Sequence, residues 1–198
     1  MICEIALVLA LDVSGSISEP NYRLQRDATA AVLRDQTMTR AIDSNYPAAI
    51  SVIMWSDTVR LIIPWRIITG REDSEILARD LERIERPMSG GTFMYSAVNY
   101  SINLFNTVPC TPERSVIDVS SDGYDDENMI DSARDKAAKA NITINGLPIV
   151  TDEAPLLEDF FIERVITPDG FVVRSETWPA YTRAIRNKII REIAKTAD

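Results

Sequence analysis

The chain opens on a run with almost no polar positions, Ile5-Ala6-Leu7-Val8-Leu9-Ala10-Leu11, and closes it with Asp12-Val13-Ser14-Gly15-Ser16. An unbroken apolar run ended by a turn is the pattern of a strand buried on both faces, as parallel sheets require. That pattern predicts a first strand over 4–11 and further strands over 49–56, 59–65, 115–121, 142–148 and 171–174. Between them the apolar spacing becomes helical, predicting helices over 19–35, 73–85, 93–106, 128–140, 154–164 and 178–195. Strictly alternating elements imply parallel strands joined by right-handed helical crossovers, hence a doubly wound, mostly parallel α/β sheet with helices on both faces. One pair departs from this. Ser56-Asp57-Thr58 is too short to hold a crossover, so 49–56 and 59–65 form a hairpin whose second strand is an antiparallel edge, where Pro64 is tolerated. In the last helix Tyr181, Ile185, Ile189 and Ile193 form a core stripe, with Arg183, Arg186, Lys188 and Arg191 mostly off it.

The predicted strand ends carry the chemistry. Asp12 and Ser14 and Ser16 stand at alternating positions on a loop that Gly15 can bend, at the carboxyl edge where open α/β sheets gather their ligands. Such a string has two readings. It is either a turn that caps the following helix through Ser18 or Glu19, or a set of hard oxygens suited to Mg²⁺, Mn²⁺ or Ca²⁺. Two more segments offer matching donors. Ser89-Gly90-Gly91-Thr92 precedes a helix, its glycines letting the Thr92 hydroxyl approach a neighbouring loop, and Asp122 follows the strand over 115–121 as Asp12 follows the first.

Composition narrows the classes. With 198 residues and 45% hydrophobic content the chain can bury one full core, read as a single domain over 1–198. It contains no internal repeat and no apolar stretch of about 18 residues that could span a bilayer. Thirty acidic against 21 basic residues give a net charge of −9, which repels phosphate backbones and makes nucleic acid a poor partner. Without histidine there is no Ser-His-Asp triad and no His-ligated zinc site, and two cysteines cannot build a four-cysteine site. No glycine-rich dinucleotide or P-loop fingerprint occurs. Any catalysis would rest on metal and carboxylates and would need a further general base, which the sequence does not nominate convincingly, so the chain is read as not an enzyme. Asp125, Asp126 and Glu127 are read as favourably placed at a helix N-terminus, and Asp118, inside an apolar strand, as a buried aspartate satisfied by local hydrogen bonds or an arginine. Of Phe93, Met94 and Tyr95, one could lie exposed beside the metal or all could pack at a helix start.

Asp12, Ser14, Ser16, Thr92 and Asp122, in this order and at these boundaries, resemble the metal-ion-dependent adhesion site (MIDAS) of the von Willebrand factor A (VWA) domain family. The resemblance covers about residues 4 to 195. It is nearest to a bacterial group of uncharacterised A-type domains, through the run Arg114 to Gly123 and Ile142-Thr143-Ile144-Asn145-Gly146-Leu147-Pro148-Ile149. The resemblance implies a Rossmann-like three-layer sandwich in which Ser14, Ser16 and Thr92 hold the metal directly and Asp12 and Asp122 hold it directly or through water. A partner's Asp or Glu then completes the coordination. In such a sheet the strands after Cys3 and Cys110 are neighbours, which makes a disulfide between them feasible; the alternative is two unrelated buried thiols in a reduced cytosol.

The expected function is therefore a divalent-cation-dependent protein-binding module using Mg²⁺, or Mn²⁺ or Ca²⁺, to bind an acidic residue of a protein partner. Two alternatives remain open: a metal-dependent hydrolase or phosphatase, and a structural subunit stiffened by its metal. The first strand begins almost at Met1, leaving no room for a signal peptide in this sequence. A disulfide favours a periplasmic or extracellular mature region over a cytoplasmic protein.

Overall fold

A computed structural model describes residues 1–42 and 46–194. Its centre is a five-stranded sheet in the order β3-β2-β1-β4-β5, formed by β1 (Ile2–Asp12), β2 (Ala48–Trp55), β3 (Val59–Ile68), β4 (Thr111–Ser121) and β5 (Ile142–Pro148). β1 pairs in parallel with β2 and β4, β4 pairs in parallel with β5, and only β3 is antiparallel, on β2. The hairpin and the edge strand are as the pattern predicts. The chain leaves β1 toward β2 and later crosses to β4 on the other side. The order thus reverses between the carboxyl ends of β1 and β4, where a crevice opens.

The helices are α1 (Glu19–Leu33), α2 (Gln36–Ala41), α3 (Arg71–Glu82), α4 (Met94–Leu104), α5 (Glu127–Lys139), α6 (Leu157–Phe160) and α7 (Tyr181–Ile193). Because successive strand residues face opposite ways, β1 feeds two cores. Ile5, Leu7, Leu9 and Leu11 pack with Tyr22, Leu33, Leu77, Ile185 and Ile189 beneath α1, α3 and α7. Val8 and Ala10 pack with Met94, Val98, Ile130 and Phe161 beneath α4, α5 and the turn after α6. Ser18 caps α1, accepting from Asn21 N at 3.3 Å, as one of its two readings required.

The structure corrects several predicted elements. The run over 171–174 is not a sixth strand. It meets β5 only at bridges Gly146–Val172 and Ile149–Ser175. The Asn145 side chain takes the Phe171 N–H at 3.0 Å, a donor that a continuing ladder would have used. The helix predicted over 154–164 is the short α6 followed by a π-helical turn, Phe161–Val165. The last predicted helix starts as a 3₁₀ turn, Trp178–Ala180, before α7, and its predicted final residue, 195, lies outside the described residues. α2 was not predicted at all. Lys188, read as mostly off the core stripe, is fully buried.

Cys3 and Cys110 form the disulfide, with Cα atoms 5.9 Å apart at a separation of 107 residues. It sits at the amino end of the sheet, opposite the crevice, beside Trp65 and Phe105. In the chain-entropy model a loop of that length contributes roughly 4–5 kcal/mol.

Candidate metal centre

β1 ends at Asp12, and its side chain turns back into the loop that follows. Asp12 Oδ1 accepts from Ser14 N at 2.7 Å and Oδ2 accepts from Ser121 Oγ at 2.5 Å. Asp12 and Ser14 are completely buried, whereas Ser16 is exposed, so the loop runs from a dry floor to an open mouth. Ser14 Oγ lies 3.1 Å from Ser16 Oγ, and Ser16 Oγ donates to Asp122 Oδ1 at 2.6 Å. The two strand ends therefore meet through a chain of hydroxyls between two carboxylates.

Thr92 reaches the same place from the loop before α4. A Cβ on Gly123 would lie 3.3 Å from both Thr92 Oγ1 and Cγ2, so Thr92 packs directly against the residue after Asp122. The first loop and the threonine loop are joined by Gly15 N donating to Gly90 O at 2.8 Å, and a Cβ on Gly15 would crowd that same oxygen at 3.3 Å. All five residues predicted from sequence thus converge on the crevice between β1 and β4.

Burial sets the electrostatics. It pushes the Asp12 carboxyl up to about 7, against hydrogen bonds from Ser121 and Ser14 that favour the charged form. Asp122 is also raised by burial, opposed by the hydroxyl of Ser16. Among the described residues neither carboxylate has a lysine or arginine ion-pair partner. Nor do three His, Cys, Asp or Glu side chains cluster anywhere among them, so an ion here would depend on the hydroxyls as much as on the carboxylates. Two desolvated acids without a cation, converging with serine and threonine oxygens at an open mouth, fit a hard divalent ion.

Several supporting residues escaped the sequence reading. Gln25 of α1 donates to Asp12 O at 2.9 Å and receives Ser120 Oγ at 3.2 Å, tying the ends of β1 and β4 together. Arg86 donates to three carbonyls of the first loop: Nη1 to Ile17 O at 2.8 Å, and Nη2 to Val13 O at 2.8 Å and Ser14 O at 2.5 Å. Its Nε donates to Met88 O at 3.1 Å, so one guanidinium holds the first loop against the segment that leads to Thr92. A lone arginine before a loop gives no sequence signal for this. Arg86→Ala is expected to lower divalent-ion affinity by about 10–100-fold, the usual effect of losing support behind a ligand, as read by titration calorimetry. Of the acidic run, Asp126 caps α5 and Glu127 lies in its first turn, as predicted, while Asp125 reaches across to accept Tyr95 N at 2.6 Å. Phe93 is 41% exposed beside Thr92 and Met94 is buried.

The fold is VWA-like. The chain belongs to the family described as "Protein of unknown function (DUF1194)", whose model matches residues 2–197. A search of curated proteins finds no match. Among solved structures, a von Willebrand factor type A protein from Catenulispora acidiphila is 15% identical with a TM-score of 0.65, over 96% of this chain and 43% of that one. Proximal thread matrix protein 1 from the mussel byssus, in a form with a zinc-occupied MIDAS motif, is 11% identical with a TM-score of 0.68, over 96% and 46%. The pilus adhesin SpaC from Lactobacillus rhamnosus GG is 12% identical with a TM-score of 0.72, over 96% and 30%. The chain thus spans less than half the length of each, and at these identities the likeness is one of fold.

Proposed function

We propose that this domain is a divalent-cation-dependent protein-binding module of the adhesion type. In this reading Asp12, Ser14, Ser16, Thr92 and Asp122 hold Mg²⁺, or Mn²⁺ or Ca²⁺ in its place, and the partner contributes an Asp or Glu. The observation that carries the reading is the convergence of two buried carboxylates, without a basic partner among the described residues, on hydroxyls at an open mouth. What a divalent ion supplies there is a coordination position with residual positive charge, since two carboxylates and three neutral hydroxyls do not saturate it. Asp12 and Ser14 form the rigid floor, Gln25 and Arg86 fix the loop, and Ser16 and Thr92 line the side from which a carboxylate would enter. The zinc-occupied MIDAS of the mussel protein and the adhesin role of SpaC support the reading by analogy of fold. The Cys3–Cys110 disulfide supports a periplasmic or extracellular setting, because such bonds persist in oxidising compartments. We read the domain as a binder and not an enzyme.

Immobilised domain should retain its protein partner in Mg²⁺, release it in EDTA and recover it with Mg²⁺ or Mn²⁺. Thr92→Ala should weaken retention about tenfold or more, because a displaced ion no longer meets the incoming carboxylate. Equal retention in EDTA contradicts the mechanism, and metal-stimulated hydrolysis of phosphate esters that Asp12→Ala abolishes would replace it with the hydrolase reading.

A further inference from the structure

A second cluster of ionisable groups lies away from the metal centre, in the core between the sheet and α7. Asp118 of β4 and Asn145 of β5 are register neighbours, and both face α7. Lys188 comes down from α7 onto them, with Glu192 one turn later. Lys188 is 0% exposed, Asp118 1% and Glu192 2%. Lys188 Nζ lies 2.6 Å from Asp118 Oδ1 and 2.8 Å from Glu192 Oε1, and Asn145 Nδ2 donates to Glu192 Oε1 at 2.9 Å. The contact with Asp118 is an ion pair outside hydrogen-bond alignment, and neither Asp118 oxygen has a hydrogen-bond partner among the described residues. An amine nucleophile and an untethered carboxyl are therefore held in contact in the buried core beside a second acid.

We propose that Lys188 and Asp118 condense into an intramolecular isopeptide bond that joins α7 covalently to β4. Nζ, having passed a proton to the cluster, attacks Cγ of Asp118. The new C–N bond forms as one C–O bond breaks, and that oxygen leaves with two protons as water. Ammonium plus carboxylate thus become a secondary amide plus water, with no redox change and no other reactant. Glu192 is the proton carrier. Burial, reinforced by the Asp118 charge, raises its carboxyl above the usual carboxylate range, so it can give a proton to the departing oxygen and regain one from the nitrogen. Asp118 is the acceptor of the new bond because Glu192 Oε1 is already tied by Asn145 and Lys188. Preset contact drives the condensation, being equivalent to an effective concentration on the order of 10⁵–10⁸ M, and Lys188 and Asp118 are themselves almost fully buried.

Intact mass of the purified, reduced and denatured protein decides the matter, the expected value being one water below that of the sequence. A tryptic digest should contain 115–134 joined to 187–191, uncut after Lys188, because the modified lysine is no longer a trypsin site. Lys188→Arg should restore the full mass, and Glu192→Gln should do so with Lys188 and Asp118 both present. A full-mass wild-type chain overturns the proposal. So does a water loss mapped to 115–134 alone, as a succinimide at Asp122-Gly123 would give, or to a Lys188–Glu192 lactam. Complete cross-linking in Glu192→Gln overturns the proton-carrier role. None of these outcomes depends on a metal at Asp12.

Discussion

Asp12→Asn should abolish divalent-ion binding and at the same time make the metal-free protein more stable. The amide keeps an acceptor for Ser14 N, but it removes a carboxyl whose ionisation is opposed by complete burial. A folded value of about 7 against 3.8 corresponds to roughly 4 kcal/mol of destabilisation once the group is ionised. The sign follows from proton uptake. The native state binds the Asp12 proton more tightly than the unfolded state, so the penalty is absent below pH about 4, grows between about 4 and 7, and is complete above about 7. The stability gain of Asp12→Asn in EDTA should therefore be largest at pH 8 and vanish at pH 4, as read by denaturant unfolding. In Mg²⁺ the order should reverse at neutral pH, since only the wild type is stabilised by a bound ion. An Asp12→Asn variant that is less stable than wild type in EDTA at pH 8 would contradict this account of the site.

Lys188→Met should be strongly destabilising, by at least about 3 kcal/mol. It leaves Asp118 buried without its cation and removes the tie between α7 and β4. Pairing it with Asp118→Leu should recover the part of the loss due to the stranded carboxylate but not the part due to the covalent tie, whereas Asp118→Leu alone strands the lysine. Chemical denaturation of the three variants measures this. A shift below about 1 kcal/mol for Lys188→Met would show that the cluster does not hold α7.

The sequence and the structure part company at identifiable places. β1, β2, β4 and β5 were legible because burial on both faces leaves no choice of residue type, and β3 because three residues cannot span a crossover. The five converging site residues were legible because each sits at an element boundary where a turn or cap also calls for Ser, Thr, Asp or Gly. That coincidence is why the motif alone left two readings. α2 was hidden since Gln36–Ala41 buries only Met38 and so shows no periodic stripe. The run 171–174 has strand composition, yet Asn145 diverts one of its amides, and composition cannot show that. Lys188 and Glu192 do stand on the helical stripe with Tyr181 and Ile185. Their charge hid them, because it is read as a solvated face and the compensating Asp118 lies far away in sequence. Asp118 itself was expected to meet local hydrogen bonds or an arginine, and a lysine from α7 takes that place. Arg86 and Gln25 act through backbone carbonyls, which leave no sequence trace.

Asp12, Ser14, Ser16, Thr92 and Asp122 together should bind one divalent ion. Titration calorimetry of Mn²⁺ into chelator-treated protein at pH 7.5, a pH set just above the Asp12 value of about 7, tests it most directly. The expected result is one ion per chain, uptake coupled to proton release as pH is lowered toward that value, and loss of the binding heat in Asp122→Ala. No saturable binding to folded wild-type protein, or unchanged binding in folded Asp122→Ala, would contradict it.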